Sequence, residues 1–188
     1  MNLDQLRAGL PGTWRSIAPE VRPSRNTDGT IKPFFLERRF VYQENDRFEL
    51  TVTSLADAFG KAKLATIAIA GHMTWRGDHP IAPGAQRVDF AADEIYAVTP
   101  LLQPFADLLT KVATDGYAPW KVGERQSVFG KAFAPFGLAK GAVFLEYDLV
   151  HVSHGMLFWG ARHPDGRGFD TEDNRPTSLQ IPLERVQE

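Results

Sequence analysis

The run from Gly141 to Gly160, Gly-Ala-Val-Phe-Leu-Glu-Tyr-Asp-Leu-Val-His-Val-Ser-His-Gly-Met-Leu-Phe-Trp-Gly, reads as two β-strands joined by a tight reversal. Aromatic and aliphatic side chains fall on both faces of this hairpin. A two-stranded hairpin alone is marginal in water. One with two apolar faces needs a sheet beside it and apolar material above and below. That requirement points to a closed or nearly closed antiparallel β-barrel.

The rest of the chain fits a sheet. Phe34 to Tyr42 reads as a strand, with Phe48 to Leu55 as its partner across Glu44-Asn-Asp-Arg47. Phe48, Leu50 and Val52 alternate with Glu49, Thr51 and Thr53, the period-two signature of one dry and one wet face. Leu64 to Arg76 alternates too, with Ile67, Ile69, Gly71, Met73 and Trp75 on one face. Arg87 to Phe90 and Glu94 to Val98 read as two shorter strands, and Lys121 to Val128 as another. Ser178 to Arg185 is read as a last strand.

Two helices interrupt the strands. Asp4 to Gly9 predicts one or two turns, ended by Pro11-Gly12. Between Pro100 and Thr114, Leu101, Leu102, Phe105, Leu108, Leu109 and Val112 recur at three- and four-residue spacing, an amphipathic helix ended by Asp115-Gly116. Pro104 is tolerated in its first turn, where the missing N–H has no partner anyway. Such a helix caps a barrel end or packs on its wall. The 188 residues fit one domain, residues 1–188.

With 21 Lys and Arg against 23 acids, the chain lacks the basic excess that phosphate binding needs, so nucleic acid is not expected as a partner. No cysteine is present, which removes disulfides and thiolate chemistry and suits a reducing compartment. The opening residues lack the order of a signal peptide, and no window holds about 20 apolar residues; a cytoplasmic protein without a membrane span is expected. Phosphate loops, dinucleotide fingerprints, nucleophile elbows and His-Glu-x-x-His are absent. No cofactor or metal is expected: His151 and His154 point to opposite faces if the strand continues through both. His72 reads as exposed or hydrogen-bonded. Glu146 and Asp148 share a face about 7 Å apart and are read as facing water or bonded to arginines.

The aromatic residues carry the stronger signal. Trp75, Trp120 and Trp159 are assigned to separate strands, with Phe129, Phe133, Phe136, Phe144 and Phe158 around the later ones. A small barrel fills its interior with side chains or leaves room for one small ligand. The reading is a cavity for a hydrophobic or amphipathic molecule, lipid or fatty-acid-like. Its walls would be Met73, Trp75, Trp120, Phe136, Tyr147 and Phe158, with Arg22 or Arg38 holding an acidic head at the mouth. The alternatives are a barrel enzyme, isomerase or hydrolase, using His72, His151 or Glu146 as base, and a scaffold whose 100–114 helix docks a partner protein. Oligomeric state is left open.

Several segments, in order, resemble the domain of the adenomatosis-polyposis-coli-down-regulated family, whose animal members inhibit Wnt signalling outside the cell. They are Gly12-Thr-Trp-Arg-Ser16, Glu20-Val-Arg-Pro23, Phe35-Leu-Glu-Arg-Arg-Phe40, Ala56-Asp57 and Gly71 before Met73. Glu146-Tyr-Asp-Leu149, Leu157-Phe-Trp-Gly160, Arg175-Pro-Thr-Ser178 and Pro182-Leu183 continue the series over nearly the whole chain. The resemblance implies a lipocalin-like antiparallel barrel with a cavity or groove for lipid-like molecules, and no catalytic residues. Two departures stand out. Pro19 and Gly60 occupy the places of cysteines in the animal proteins, and about ten residues, Ser24 to Pro33, are inserted. The resemblance thus implies a stand-alone, cysteine-free bacterial relative, to which Wnt inhibition does not transfer.

Overall fold

The computed structural model describes every residue except Met1, Thr27, Asp115 and Glu188. The expected helix stop at Asp115 therefore lies outside the described residues. Helix α1 (Leu3–Gly9) opens with a reciprocal cap: the Asn2 side chain accepts the Gln5 N–H at 2.8 Å, and the Gln5 side chain accepts the Asn2 N–H at 3.1 Å. Ten strands follow in one antiparallel sheet. They are β1 (Gly12–Ser16), β2 (Glu20–Arg25), β3 (Ile31–Tyr42), β4 (Arg47–Leu55), β5 (Lys63–Asp78), β6 (Gln86–Pro100), β7 (Gln126–Ser127), β8 (Phe144–Ser153), β9 (Met156–Trp159) and β10 (Leu183–Arg185). Helix α2 (Gln103–Val112) lies between β6 and β7, with Pro104 in its first turn as expected.

The strand order is β1-β10-β9-β8-β6-β5-β4-β3-β2, with β7 paired to β6. Strand β1 has two partners. It pairs with β10 at Trp14↔Arg185 and with the end of β3 at Gly12↔Tyr42 through Arg15↔Arg39. Strand β2 takes the first half of the same β3 edge, Glu20↔Leu36 through Arg25↔Ile31. The segment 161–170 runs past β2 and β8: the Arg25 guanidinium donates to the Asp165 carbonyl, and the Tyr147 N–H donates to the Phe169 carbonyl at 2.7 Å.

The terminal hairpin forms as its sequence dictates. His154 (φ 51°) and Gly155 (φ 74°) are both left-handed, and two such residues match the twist of flanking strands. Other expectations shift. The two strands read at 87–90 and 94–98 are one strand, β6, with a register irregularity opposite Ala70–His72. There Gly71 comes so close to the Ala91 carbonyl that a β-carbon would collide with it, so the alternation breaks without ending the strand. Of Lys121 to Val128, only Gln126–Ser127 pairs, because Gly123 (φ 79°) turns the chain and donates to the Pro100 carbonyl. Trp120 therefore lies in a loop, not a strand. Of Ser178 to Arg185, Leu183–Arg185 forms the strand and Leu179 adds an isolated bridge to Gly160; Pro182, between them, has no N–H to donate.

One cluster of buried side chains contains Leu6 of α1 and Leu10 just after it, together with Trp14, Phe40, Tyr42, Phe48, Met73, Phe90 and Trp159. A second joins Ala65, Ile67, Tyr96 and Val98 of the sheet to Ala106 and Leu109 of α2 and to Trp120, Val128 and Phe133. The α2 segment and the loop after it thus cover one end of the inward-facing surface, and α1 covers the other.

Candidate functional site

Side-chain size changes along the strands that face inward. From the α1 end, β3 presents Tyr42, Phe40, Arg38 and Leu36, and β4 presents Phe48, Leu50, Val52 and Ser54. The large residues at the first end interlock. Phe40 and Phe90 stack on Trp159 with centroids 4.3 and 4.2 Å away, and Phe48 meets Phe90 edge-on at 5.2 Å. Only about 10 Å³ stays empty there, between Phe48, Phe90, Phe144 and Trp159. The smaller residues at the other end do not fill their space. An open cavity of about 530 Å³ remains, walled by Phe34, Leu36, Val52, Ile67, Tyr96, Phe136, Phe144 and Phe169, with Ser24, Ser54, Glu146, Arg162 and Asp170 as its polar groups. That volume is in the range of small-molecule sites.

Between the filled and hollow halves lies a buried charged layer. The Glu20 carboxylate, fully buried, accepts from Arg38 Nε at 2.7 Å, from Arg22 Nη2 and Nε at 3.1 and 3.2 Å, and from Ser16 Oγ at 3.1 Å. Burial alone would raise its pKa, but the Arg38 and Arg22 charges outweigh burial and hold it below the ordinary value. Arg38 is itself 4.9 Å above the Trp159 ring. Asp148, also fully buried, accepts the Leu149 and Gly160 N–H groups on one oxygen at 2.7 and 2.9 Å; its other oxygen has no partner. Burial first, then the Glu146 charge, push Asp148 up to about 8 against the Leu149 N–H and the Arg38 and Arg22 charges. Arg162 stands over the Phe34 ring at 5.6 Å with its Nε unpartnered, and burial and the Arg22 charge draw its pKa down.

The sequence-predicted residues separate. Phe136 lines the cavity, stacked 6.2 Å from Tyr96. Arg22 and Arg38 belong to the charged layer beneath it and are engaged by Glu20, so neither stands at the mouth. Met73 and Trp75 pack in the filled half, where Trp75 Nε1 donates to Asp46 at 2.8 Å. Trp120 is buried in the covering loop against Tyr117 and Phe133. Tyr147 lies under the Arg175 guanidinium at 5.4 Å, and Phe158 beside His151 at 6.0 Å. Neither Tyr147 nor Phe158 lines the cavity.

The carboxylates read as facing water or bonded to arginines face inward, and among the described residues neither side chain makes a hydrogen bond to an arginine. Glu146 lines both the cavity and the small void, and Asp148 is buried beside Arg38. Sequence reasoning names Glu146 only as an alternative base and pairs it with Asp148 on a wet or arginine-bonded face, and it does not name Arg162. The phase of β8 was illegible because Leu145, Tyr147 and Leu149 are as apolar as Phe144 and Val150, and Arg162 lies in a loop. His72 is exposed and paired with Asp93 at 3.0 Å; His151 bonds the Gly84 carbonyl and His154 the Ser153 hydroxyl, so the two do not converge. Among the described residues, no group of three or more His, Asp or Glu side chains is placed to hold a metal, and no helix is long and apolar enough to cross a membrane.

Fold and cavity define an antiparallel β-protein with an open, largely apolar cavity against its sheet. Comparison with protein-family models finds no match, and comparison with curated proteins finds no relative.

Proposed function

We propose that this protein binds an apolar or amphipathic small molecule, lipid or fatty-acid-like, inside a lipocalin-like barrel. The observation that carries the reading is the open cavity of about 530 Å³ left between Leu36, Val52, Ile67, Tyr96 and Phe136. The barrel reading is supported by the pairing of β1 with both β10 and β3, which joins the first strand of the order to the penultimate one. Kinship with the adenomatosis-polyposis-coli-down-regulated domain is supported by where the resembling segments meet. Glu20 and Arg22, Arg38, Asp148, and Trp159-Gly160 come from four of them and converge in the charged layer.

Burial contributes about 0.8 kcal/mol per methylene, so a ten-carbon chain gains about 8 kcal/mol. Association costs at least about 4 kcal/mol. Chain burial alone therefore gives roughly millimolar binding, and micromolar binding needs a further contribution from the polar groups.

Native mass spectrometry of gently purified protein, with fatty-acid titration followed by Trp fluorescence, tests the reading. A co-purifying small molecule and a saturable fluorescence change are expected, both lost in Ser54→Trp, which fills the cavity. Repeated recovery of bare protein together with no fluorescence response would refute it.

A second reading, a barrel enzyme for a hydrophobic substrate, is favoured by the inward Glu146 beside the proton-holding Asp148. Turnover of a hydrophobic ester or enone, abolished in Glu146→Gln, is its test.

A further inference from the structure

We propose that the cavity selects an amphipath carrying a single carboxylate, seated on Arg162 above the buried Asp148 carboxyl, one oxygen of which has no partner. The inference rests on the binding function above and adds the chemistry of the head group.

Arg162 is the cation that the cavity presents. It lines the hollow, its guanidinium over Phe34, and no carboxylate of the described residues comes within salt-bridge distance. Arg22 and Arg38, by contrast, are spent on Glu20. The groups facing Arg162 are Arg22 from β2, which repels it, Glu146 from β8 and Asp170 from the 161–170 segment. A guanidinium held partly out of water without a pair is costly, and a carboxylate meets it with two parallel, charge-assisted hydrogen bonds.

The charge count in the interior has the same sign. Apart from the buried Arg175–Asp89 pair, whose charges cancel, three arginines, Arg22, Arg38 and Arg162, stand against the carboxylates Glu20, Glu146 and Asp148. With Asp148 protonated, three positive charges oppose two negative ones, and a monoanion closes the balance. Asp170 is exposed, so its charge is screened by water. The groups facing Asp148 are Glu146 on its own strand, Arg38 from β3, Arg22 from β2 and Arg175, whose guanidinium donates to the Asp148 carbonyl, with the Leu149 and Gly160 N–H groups on its bound oxygen. Tyr42, also in reach, keeps its proton because burial pushes the phenol well above 10. Once Asp148 ionises, the interior is neutral without a ligand and a second anion is no longer favoured.

Decanoate and decanol have the same chain and differ in charge, so their ratio reads the head group alone. Both are titrated below their aggregation limits at pH 7 and about pH 9, with calorimetric detection. Wild type is expected to bind decanoate at least about tenfold more tightly than decanol at pH 7, with the ratio shrinking severalfold by about pH 9. Arg162→Gln should bring the ratio near one while keeping decanol binding. Asp148→Asn, isosteric with the protonated acid, should keep the ratio high at the alkaline pH. Equal binding of the two probes by wild type at pH 7 overturns this inference and leaves the binding function standing. A preference that survives Arg162→Gln overturns the seat. A preference that does not shrink by about pH 9 overturns the role of the Asp148 proton. Binding of neither probe overturns the function itself, and this inference with it.

Discussion

Replacing Glu20 by Gln removes the one negative charge that holds two buried arginines. In the native protein its carboxylate takes Arg38 Nε at 2.7 Å and Arg22 Nη2 at 3.1 Å, and the side chains of all three residues are under a tenth exposed. Removing one partner of a buried pair costs about 3–5 kcal/mol, because the other charge stays buried and unpaired. Two guanidiniums share Glu20, which would raise the figure. Asp148 lowers it: the same arginines act on Asp148 and favour its ionised form, so loss of Glu20 makes its proton easier to release. A net loss of about 3 kcal/mol is expected. For a chain of this size that is roughly 6–12 °C in Tm.

Urea denaturation followed by circular dichroism gives the free energy, with an unchanged slope required for a two-state reading. The pH dependence supplies a second check. Glu20 has a folded pKa below its ordinary value, so its contribution is present above the ordinary carboxylate range and is lost as pH falls through the folded value. The gap between wild type and Glu20→Gln should therefore narrow in acid. A loss under about 1 kcal/mol at neutral pH, or a gap that does not change in acid, would refute the view that this ion network is a buried stabilising layer.

The opposite sign is expected at Asp148. Its folded pKa, about 8, lies above the unfolded value, so its stabilising contribution is full below the ordinary carboxylate pKa and is lost as pH rises toward 8. Wild type should therefore have a lower urea midpoint at pH 8 than at pH 5, and Asp148→Asn should be flatter between them. Phe40→Ala removes the ring between Tyr42 and Trp159 and should cost about 3–5 kcal/mol, measured by the same titration. Gly71→Ala drives a β-carbon into the Ala91 carbonyl and should cost about 1–3 kcal/mol, seen as a lower Tm.

Much of the sheet was legible because its strands alternate cleanly. Phe48, Leu50 and Val52 face inward as the period-two pattern requires, and the His154-Gly155 reversal joins the two strands read there. The charged layer was harder to see. Arg38 shares a face with Phe40 and Tyr42, so alternation alone places it inside, yet an arginine invites a surface reading. In β8 both faces carry apolar residues, since Leu149 is buried as completely as Val150, and no pattern could tell which face held Glu146 and Asp148. Trp120 reads with the strand that follows it; Gly123, hydrogen-bonded to the Pro100 carbonyl, turns the chain there instead. The cavity arises from long-range pairing. Small Leu36, Val52 and Ser54 meet at one end only because β3 and β4 are in the register Leu36↔Ser54.

Methyl-resolved NMR during titration with a ten-carbon amphipath, decanoate or decanol, tests the central claim most directly. Binding in the hollow half should move the methyl signals of Leu36, Val52 and Ile67 saturably, while Met73 and Leu157 in the filled half stay near their free positions. Absence of any saturable shift, or shifts confined to outward-facing methyls such as Ile81 and Leu179, would contradict it.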